Sequence, residues 1–559
     1  MNLRVASVSL TVLASLLAVL TLGVTGAPLA RLGPAASTQL DALPAVAVPP
    51  TAGGAVCLTG AGTNDAFADV LLYAPTLPSP SPSPSSDAAP TDPDAAPATD
   101  PDVDDASSAA RDARGIVLAL REDLVRSAVG PTGPGGLERV RPELGADGWV
   151  WTGWADHPFT VWQEWRTAGA PGEPRGAVAS RCVPSDAPSW NVLGLRTDGG
   201  NESLLRIANP YAADATFAVT LITPEGLLEP IALRNVSVSA GSRITVRVND
   251  HVPEQSDVAA VVTVGAGRVA VEGLQRAVAG VGGVEGVSVV PALTAPSVTW
   301  TLPWLPLGPD VDGAVWVLNP ESRAVVVQFT LHTPQGTAVP EGLDSVEVGA
   351  GGLVRIETAD LALDGRRVLG MTLRSETTGV VVAAGAQFLD EDPERTGIVR
   401  YPAAPAPDPQ WSIAGTADAQ RDTTLHVVNL AESDAPLRVT VTTSPADGPA
   451  GTTTTVIEPG SLEPGGVARI VLPLDGAEAW SAVVTGGPAL VVSRTTTGRD
   501  LLEPVATDAT ASRTWLAPAR ALAGRSLDGW VARLGTTQDL RRDVRLSGAD
   551  DGQLTGPVG

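Results

Sequence analysis

The chain has 559 residues, which at about 100–200 residues per domain is room for three to five domains. Apolar residues make up 43% and charged residues 18%, so most of the chain can bury cores and intrinsic disorder of the whole is excluded. The 37 basic residues, all Arg, face 62 acidic ones for a net charge of −25, which argues against a nucleic-acid partner.

Arg4 precedes an uncharged run from Val5 to Ala30. Its centre, at about 20 residues, is long enough to cross a bilayer as a transmembrane helix. A cleaved secretory signal has a shorter apolar region and then an A-x-A-like site, for which Thr25-Gly26-Ala27 is a candidate with Pro28 directly behind it. Residues 1–30 are therefore expected to be a signal anchor or a signal peptide. Either places the body outside the cytoplasm, anchored to the plasma membrane or secreted.

Residues 31–55, rich in Ala, Pro, Gly and Thr, read as a tether. Residues 56–189 read as a partial β domain that lacks a clear start. An even cysteine count in an exported chain predicts a Cys57–Cys182 disulfide. It would close a loop of about 126 residues, worth up to roughly 4–5 kcal/mol by chain entropy. Between the cysteines, residues 77–110 open on Pro-Ser repeats and carry seven Asp and no Arg, the composition of a disordered surface insert. Gly115–Val129 is the one helix candidate, with Leu120 and Leu124 a turn apart and Gly130-Pro131 as its stop.

Next comes an aromatic cluster: Trp149, Trp151, Trp154, Trp162 and Trp165, with His157 and Phe159 among them. Aromatic faces stack on sugar rings and on cations, so the cluster is a possible glycan-binding platform. The alternative is that large aromatics fill the core of a small domain.

An internal repeat follows. Leu204-Leu-Arg-Ile-Ala-Asn209, Ala314-Val-Trp-Val-Leu-Asn319 and Thr424-Leu-His-Val-Val-Asn429 place Asn at intervals of 110 residues. Each is followed by an alternating stretch, a Pro-to-Gly turn ending at Gly226, Gly336 or Gly448, and a second turn at Gly241, Gly351 or Gly465. Each repeat closes with a Gly fourteen residues before a Trp: Gly176 and Trp190, Gly286 and Trp300, Gly397 and Trp411. Trp515 marks a fourth closure, with Leu501 in place of the Gly.

Alternation, β-branched residues and Gly or Pro turns predict an all-β chain of tandem, immunoglobulin-like β-sandwiches of about 110 residues. The units are expected at 190–299, 300–410 and 411–514. The repeated Trp is expected to anchor each core, the Asn to bond at a strand end, and the Gly to supply positive-φ turns. A C-terminal partial repeat is expected at 515–559, with Leu516, Trp530, Val531, Leu534, Leu540 and Val544 as its apolar positions. It would either complete the N-terminal domain or cap an open array. The open array is the expected arrangement.

Little chemistry is legible. No zinc-protease, C-x-x-C, nucleophile-elbow or P-loop pattern occurs. Gly280–Gly286 is glycine-rich but opens no helix that could cradle a phosphate. His157, His251, His332 and His426 fall at different phases of the repeat and read as ordinary surface or strand residues. Asp100, Asp102, Asp104 and Asp105 lack the turn Gly and distal Glu of a calcium loop. No catalytic residue, cofactor or metal is expected.

The N-terminal apolar segment, the two early cysteines, Cys182 followed by Pro184 and Trp190, and Leu205-x-Ile207-x-Asn209-Pro210 with its repeats resemble an actinobacterial family of exported or membrane-anchored proteins of unknown function. The likeness runs over most of the chain after the tether. It departs at Leu430, where Pro would follow Asn, and at the low-complexity insert. Members tend to be encoded near glycosyltransferase and sugar-phosphate genes, which implies a role in the cell envelope. The expected function is that of a non-catalytic, envelope-tethered β-repeat protein that binds a partner protein or wall glycan. An accessory factor for envelope glycan assembly and a wall-polymer hydrolase are the alternatives.

Overall fold

The computed structural model describes residues 51–58, 67–73, 114–119, 127–129, 137–140, 149–155, 160–168 and 174–183, most of 187–511, and the pairs 545–546 and 554–555. Among the described residues every regular element is a strand, apart from three short 3-10 segments at Ile231–Leu233, Val248–Asp250 and Thr358–Leu361. The N-terminal apolar run, residues 31–50 of the expected tether, the insert 77–110 and nearly all of 515–559 lie outside the described residues, apart from a short pairing of Arg545–Leu546 with Leu554–Thr555; the last five residues of the expected tether, 51–55, are instead part of a strand. Among the described residues no helix is long and apolar enough to cross a membrane.

The first sandwich comprises β1 (Thr51–Cys57), β2 (Phe67–Tyr73), β3 (Arg114–Ala119), β4 (Ser127–Val129), β5 (Leu137–Val140), β6 (Trp149–Ala155), β7 (Thr160–Ala168) and β8 (Arg175–Arg181). Its sheets run β1-β6-β3-β4 and β5-β2-β7-β8. The second comprises β9 (Ser189–Leu195), β10 (Asn201–Asn209), β11 (Ala215–Thr223), β12 (Gly226–Leu228), β13 (Val236–Val238), β14 (Ser242–Arg247), β15 (Val258–Ala266), β16 (Ala270–Ala277), β17 (Gly286–Val290) and β18 (Ala292–Leu293). Its sheets run β12-β11-β15-β9-β18 and β14-β10-β16-β17.

The third comprises β19 (Thr299–Leu302), β20 (Val311–Leu318), β21 (Val325–Thr333), β22 (Gly336–Ala338), β23 (Val346–Val348), β24 (Leu353–Glu357), β25 (Gly370–Ser375), β26 (Val381–Phe388) and β27 (Gly397–Pro402). Its sheets run β19-β25-β21-β22 and β24-β20-β26-β27. The fourth comprises β28 (Asp408–Thr416), β29 (Arg421–Asn429), β30 (Ala435–Pro445), β31 (Thr453–Leu462), β32 (Val467–Val471), β33 (Ala477–Gly498), β34 (Val505–Asp508) and β35 (Thr510–Ala511). Here β33 serves both sheets: its first half pairs with β28 and β30, its second with β29 and β34.

Strand for strand, the four sandwiches share one topology. In each, the third, fifth and first main strands form one sheet, and the fourth, second, sixth and seventh form the other. An antiparallel bridge just after the seventh strand returns to the first strand every time: Val183 to Val56, Ala292 to Val192, Ala404 to Thr301 and Ala511 to Trp411.

The N-terminal domain is therefore a complete unit, not a partial one. Its start is β1, whose Thr-Ala-Gly-Gly-Ala-Val-Cys sequence shares little with the Trp-bearing first strands elsewhere. The tail has no missing start to supply. The helix expected at Gly115–Val129 is also corrected: β3 and β4 form an antiparallel pair, Gly115 opposite Val129, with β3 paired in turn to β6. β-Branched Ile116 and Val117 suit that pleated position. Leu120 and Leu124, on which the helical reading rested, lie outside the described residues.

Period-two burial builds the cores. On β11 Ala215, Phe217, Val219 and Leu221 are buried while Thr216, Ala218 and Thr220 are half-exposed, and β21 repeats the pattern. Trp190, Trp300 and Trp411 sit in the three cores as expected. Two of the indoles cross the sandwich to the start of the sixth strand: Trp300 Nε1 donates to Val380 O and Trp411 Nε1 to Leu490 O, both at 2.6 Å. Burying such a ring contributes about 3 kcal/mol through area alone.

The repeated Asn closes the turn after each second strand. Asn319 Nδ2 donates to Arg323 O at 2.7 Å, Val348 O at 3.1 Å and Gly349 O at 2.9 Å, and its Oδ1 accepts from Glu321 N at 3.0 Å. Asn209 and Asn429 repeat the arrangement, and all three are wholly buried. One side chain thus satisfies backbone groups in two loops that would otherwise be buried unpaired.

The sandwiches pack head to tail, and the cycle closes. From Pro49 on, the chain is one compact unit. Leu193, Ile222 and Ala259, on the outer face of the second sandwich, pack on Ala314, Trp316, Leu318, Leu353, Val381 and Ala383 of the third. The third meets the fourth through His332 and Trp304. The fourth meets the first, whose Trp162 enters its cluster. The first meets the second through Trp165 and Val178 against Leu274, Val287 and Val289. The seventh strands β8, β17, β27 and β34 each touch the next, and β34 touches β8 again. The expected open array is thus overturned: the first and fourth sandwiches are neighbours.

Of the glycines before each Trp, Gly176 and Gly286 serve this packing rather than a turn. A Cβ on Gly176 would lie 2.5 Å from Val287 Cγ1 and 3.0 Å from its backbone N, and one on Gly286 would lie 2.8 Å from the backbone N of Ile398. Neither has positive φ; Gly241, Gly351 and Gly465, at 61°, 62° and 72°, do. Only a residue without a side chain lets one seventh strand approach the next so closely.

Candidate functional site

The disulfide forms as expected. Cys57, at the end of β1, is bonded to Cys182, just past β8, with Cα atoms 4.6 Å apart. It pins the first strand to the segment that bridges back to it.

The tryptophan cluster is split between two sheets. Trp149, Trp151 and Trp154 lie on β6, and their side chains are outside the described residues. Trp162 and Trp165 lie on β7 and are 0% and 4% exposed. These two cannot belong to an exposed sugar-stacking platform. They are wedges between sandwiches, pointing to opposite neighbours. Trp162 and Glu164 face the fourth sandwich, while Gln163 and Trp165 reach the second. The strand period of two accounts for that division.

Each seam holds a polar cluster. At the first–second seam, Glu272 accepts from Arg206 and from Gln163, and the Arg206 guanidinium lies 6.0 Å from the Trp165 ring. At the second–third seam, Asp312 bridges Arg196 at 3.0 Å and Arg355 at 2.8 Å, while Trp316 Nε1 donates to Asp257 at 2.7 Å. Arg400, from β27, is fully buried there. Its Nε donates to Gly194 O at 2.8 Å and its guanidinium lies 5.0 Å from the Trp316 ring. Burial first, then nearby Arg196, pulls its pKa down to about 9 against the pull of Asp312 and Asp257. Gly194, at φ 82°, leaves room for the Trp316 ring, which a Cβ would meet at 2.7 Å.

The third–fourth seam carries two of the four histidines. His332 Nδ1 lies 3.0 Å from Gly465 O, to which it must donate, so Nε2 accepts from Thr372 Oγ1 at 2.8 Å. His426 Nε2 bonds Thr495 Oγ1 at 2.9 Å, and its ring lies 6.1 Å from Trp304. Burial lowers the pKa of both. For His426 it falls to about 3, with Arg469 and Arg367 adding to the effect. Both are buried strand residues at a seam. His251 is half-buried beside a 3-10 turn, and His157 lies outside the described residues.

At the fourth–first seam, Glu164 accepts from the Arg494 guanidinium and from both the amide and hydroxyl of Thr416. Arg494 is 1% exposed and lies 5.8 Å and 5.2 Å from the rings of Trp162 and Trp480. Apart from Trp162, a member of the tryptophan cluster, no sequence motif pointed to these residues. The available signal was Arg206, Trp316 and His426 at one outward repeat position, three residues before each Asn and between core-facing neighbours such as Leu205 and Ile207.

Among the described residues no group of three His, Cys, Asp or Glu is placed to hold a metal ion. The Asp100–Asp105 run lies outside them. What the seams can do chemically is pair charge and fix orientation, because each carboxylate is directed at a guanidinium or an amide.

The fold defines an all-β repeat protein of four topologically equivalent units in a closed cycle. A profile of the family of unknown function DUF5719 matches residues 152–465, from β6 of the first sandwich into the fourth, and the chain belongs to that family. No curated protein matches it. Among solved structures, it is similar to a serine-rich repeat protein of Streptococcus agalactiae at 12% identity and a TM-score of 0.12, over 44% of this chain and 85% of that one.

Proposed function

We propose that this protein is a non-catalytic scaffold of the cell envelope, built of immunoglobulin-like sandwiches, held outside the cytoplasm by its N-terminal segment, and engaged by a partner protein. The observation that carries the reading is a contrast of exposure. Among the described residues the charged and aromatic clusters named above lie inside the seams, while Leu227, Leu228 and Ile231 stand 53%, 45% and 84% exposed at one corner of the second sandwich. A contiguous exposed apolar group of this kind marks a contact surface. The disulfide supports an oxidising location. Burial of Trp162 and Trp165 favours a protein over a wall glycan. A role as accessory factor in glycan assembly is compatible with such a scaffold.

Two experiments test it. Membrane fractionation with protease access on spheroplasts should find the body outside; protection from external protease overturns the location. Crosslinking in intact cells should give a discrete adduct that weakens at least tenfold when Leu227, Leu228 and Ile231 are all changed to Ser. Specific binding to purified wall glycan, unaffected by those changes, would overturn the protein-partner reading.

A further inference from the structure

At three of the four seams the buried or bridging charges come in pairs: Gln163 meets Glu272 and its partner Arg206, Asp312 meets Arg196, and Glu164 meets Arg494. The third–fourth seam is bridged by histidine instead, the side chain whose charge ordinarily changes in mild acid. His332, on β21 of the third sandwich, reaches across to Gly465 O, in the turn between β31 and β32 of the fourth, at 3.0 Å. His426, on β29 of the fourth, lies 6.1 Å from the Trp304 ring of the third. Each histidine is 2% exposed. The fit is close, since a Cβ on Gly465 would lie 2.6 Å from Thr337 Cγ2.

No carboxylate contributes to the titration of either ring. His332 is met by the Gly465 carbonyl, by the Thr372 hydroxyl on β25, which also bonds Thr301 on β19, and by Thr337 opposite it on β22. Glu463, in the same turn as Gly465, is exposed. His426 has Arg469 opposite it on β32, Thr495 on β33 and, from the third sandwich, Trp304 and Arg367. Arg494, also on β33, points to the other face of that sheet, against Trp162 and Trp480. Tyr401, beside Trp304, is kept neutral by burial. A proton on His426 therefore adds a third positive charge to those of Arg469 and Arg367. Parting the sandwiches carries Arg367 away and gives both rings to water, where the charged form costs little. The short connection from Ala404 to β28 remains as a tether.

We infer that the third–fourth seam is an acid-operated latch: protonation of His332 and His426 parts these two sandwiches and opens the cycle while each sandwich stays folded. The seam is most stable above about pH 6.5, where neither the closed nor the open form holds the protons. Below it the opening constant should rise about tenfold per pH unit for each histidine, and for His426 the rise continues to about pH 3.

A dye pair on Val339→Cys and Ser461→Cys tests this in the full chain in mild detergent. Both positions are exposed, one on each sandwich near the Thr337–Gly465 contact, and the natural cysteines are bonded to each other. Energy transfer should fall reversibly between pH 6.5 and 4 while the far-ultraviolet dichroism of the strands is unchanged. With His332→Gln and His426→Gln together, transfer should stay high across that range. Transfer that holds to pH 4 without those changes overturns the inference, as does transfer lost only together with the dichroism, or a double variant that opens like the parent. Should the double variant fail to fold, Arg367→Gln provides the second measurement. That side chain is exposed, and losing its charge lets His426 take a proton with the seam closed, so the opening midpoint should move to lower pH. A midpoint that stays in place overturns the inference equally.

Discussion

The second–third and fourth–first seams solve the same packing problem with different material. The second–third seam is an apolar sheet contact with Trp316 at its centre and ion pairs at its margin. The fourth–first seam centres on a carboxylate–guanidinium pair between two indoles. Apolar contact is tolerant of small shifts, because its energy follows area. A buried ion pair is not: its desolvation is recovered only while both partners stay in place. The first seam should therefore supply stability, and the other should supply selectivity for a closed register.

The largest effect is expected from Trp316→Ala. It removes the ring under Arg400 and the donor to Asp257, and should cost about 3–5 kcal/mol in chemical denaturation. Hydrogen exchange should rise in β9, β15 and β20 while β7 and β28 stay protected. Second comes Asn319→Ala, which strips a donor from three carbonyls and an acceptor from Glu321 N. A loss of about 2–3 kcal/mol is expected, with Asn209→Ala similar. A fall under about half a kcal/mol in both would show the clamp to be incidental.

Gly286→Ala follows, at about 1–2 kcal/mol, because the new Cβ meets the Ile398 backbone and the strands must part. Thermal melting of the variant should lose cooperativity between sandwiches, and an unchanged transition would remove the close-approach argument. The smallest effect is graded with pH. His426 has a folded pKa of about 3 against about 6.5 unfolded, so unfolded chains bind the proton first. Its neutral burial is fully compatible with folding above about pH 6.5. Stability is lost as pH falls from there towards 3, by up to about 1.4 kcal/mol per pH unit. His332 shifts in the same direction. His426→Gln should flatten that slope when stability is measured between pH 6.5 and 4, and an unchanged slope would assign acid sensitivity to other groups.

The sandwiches were legible because their signals are local. Alternation on β11 and β21, the Asn at 110-residue spacing and the turn glycines each lie within one unit. The disulfide followed from a count of two cysteines. The first sandwich was misread because β1 carries Gly-Gly and Cys instead of Trp, and because residues 77–110 interrupt it between β2 and β3. The cycle was illegible for a different reason. Its seams are made by outward residues on strands hundreds of positions apart, and a Glu or Trp on an outward face has the same sequence signature whether water or another sandwich covers it. Gly176 and Gly286 also recorded a seam in the sequence, but a glycine at a strand start is ordinarily taken for a turn.

The seventh strands carry one more consequence. Each of β8, β17, β27 and β34 is the terminal strand of its sheet, and each lies against its counterpart from the next sandwich. An open stack of repeats can gain or lose a member and still end in two caps. A closed circuit has no such freedom, because a fifth member would have to change every angle and a third would leave two margins bare. Among the described residues the circuit is complete at four members, and added length is accommodated without touching a seam only in connections such as the one between β2 and β3.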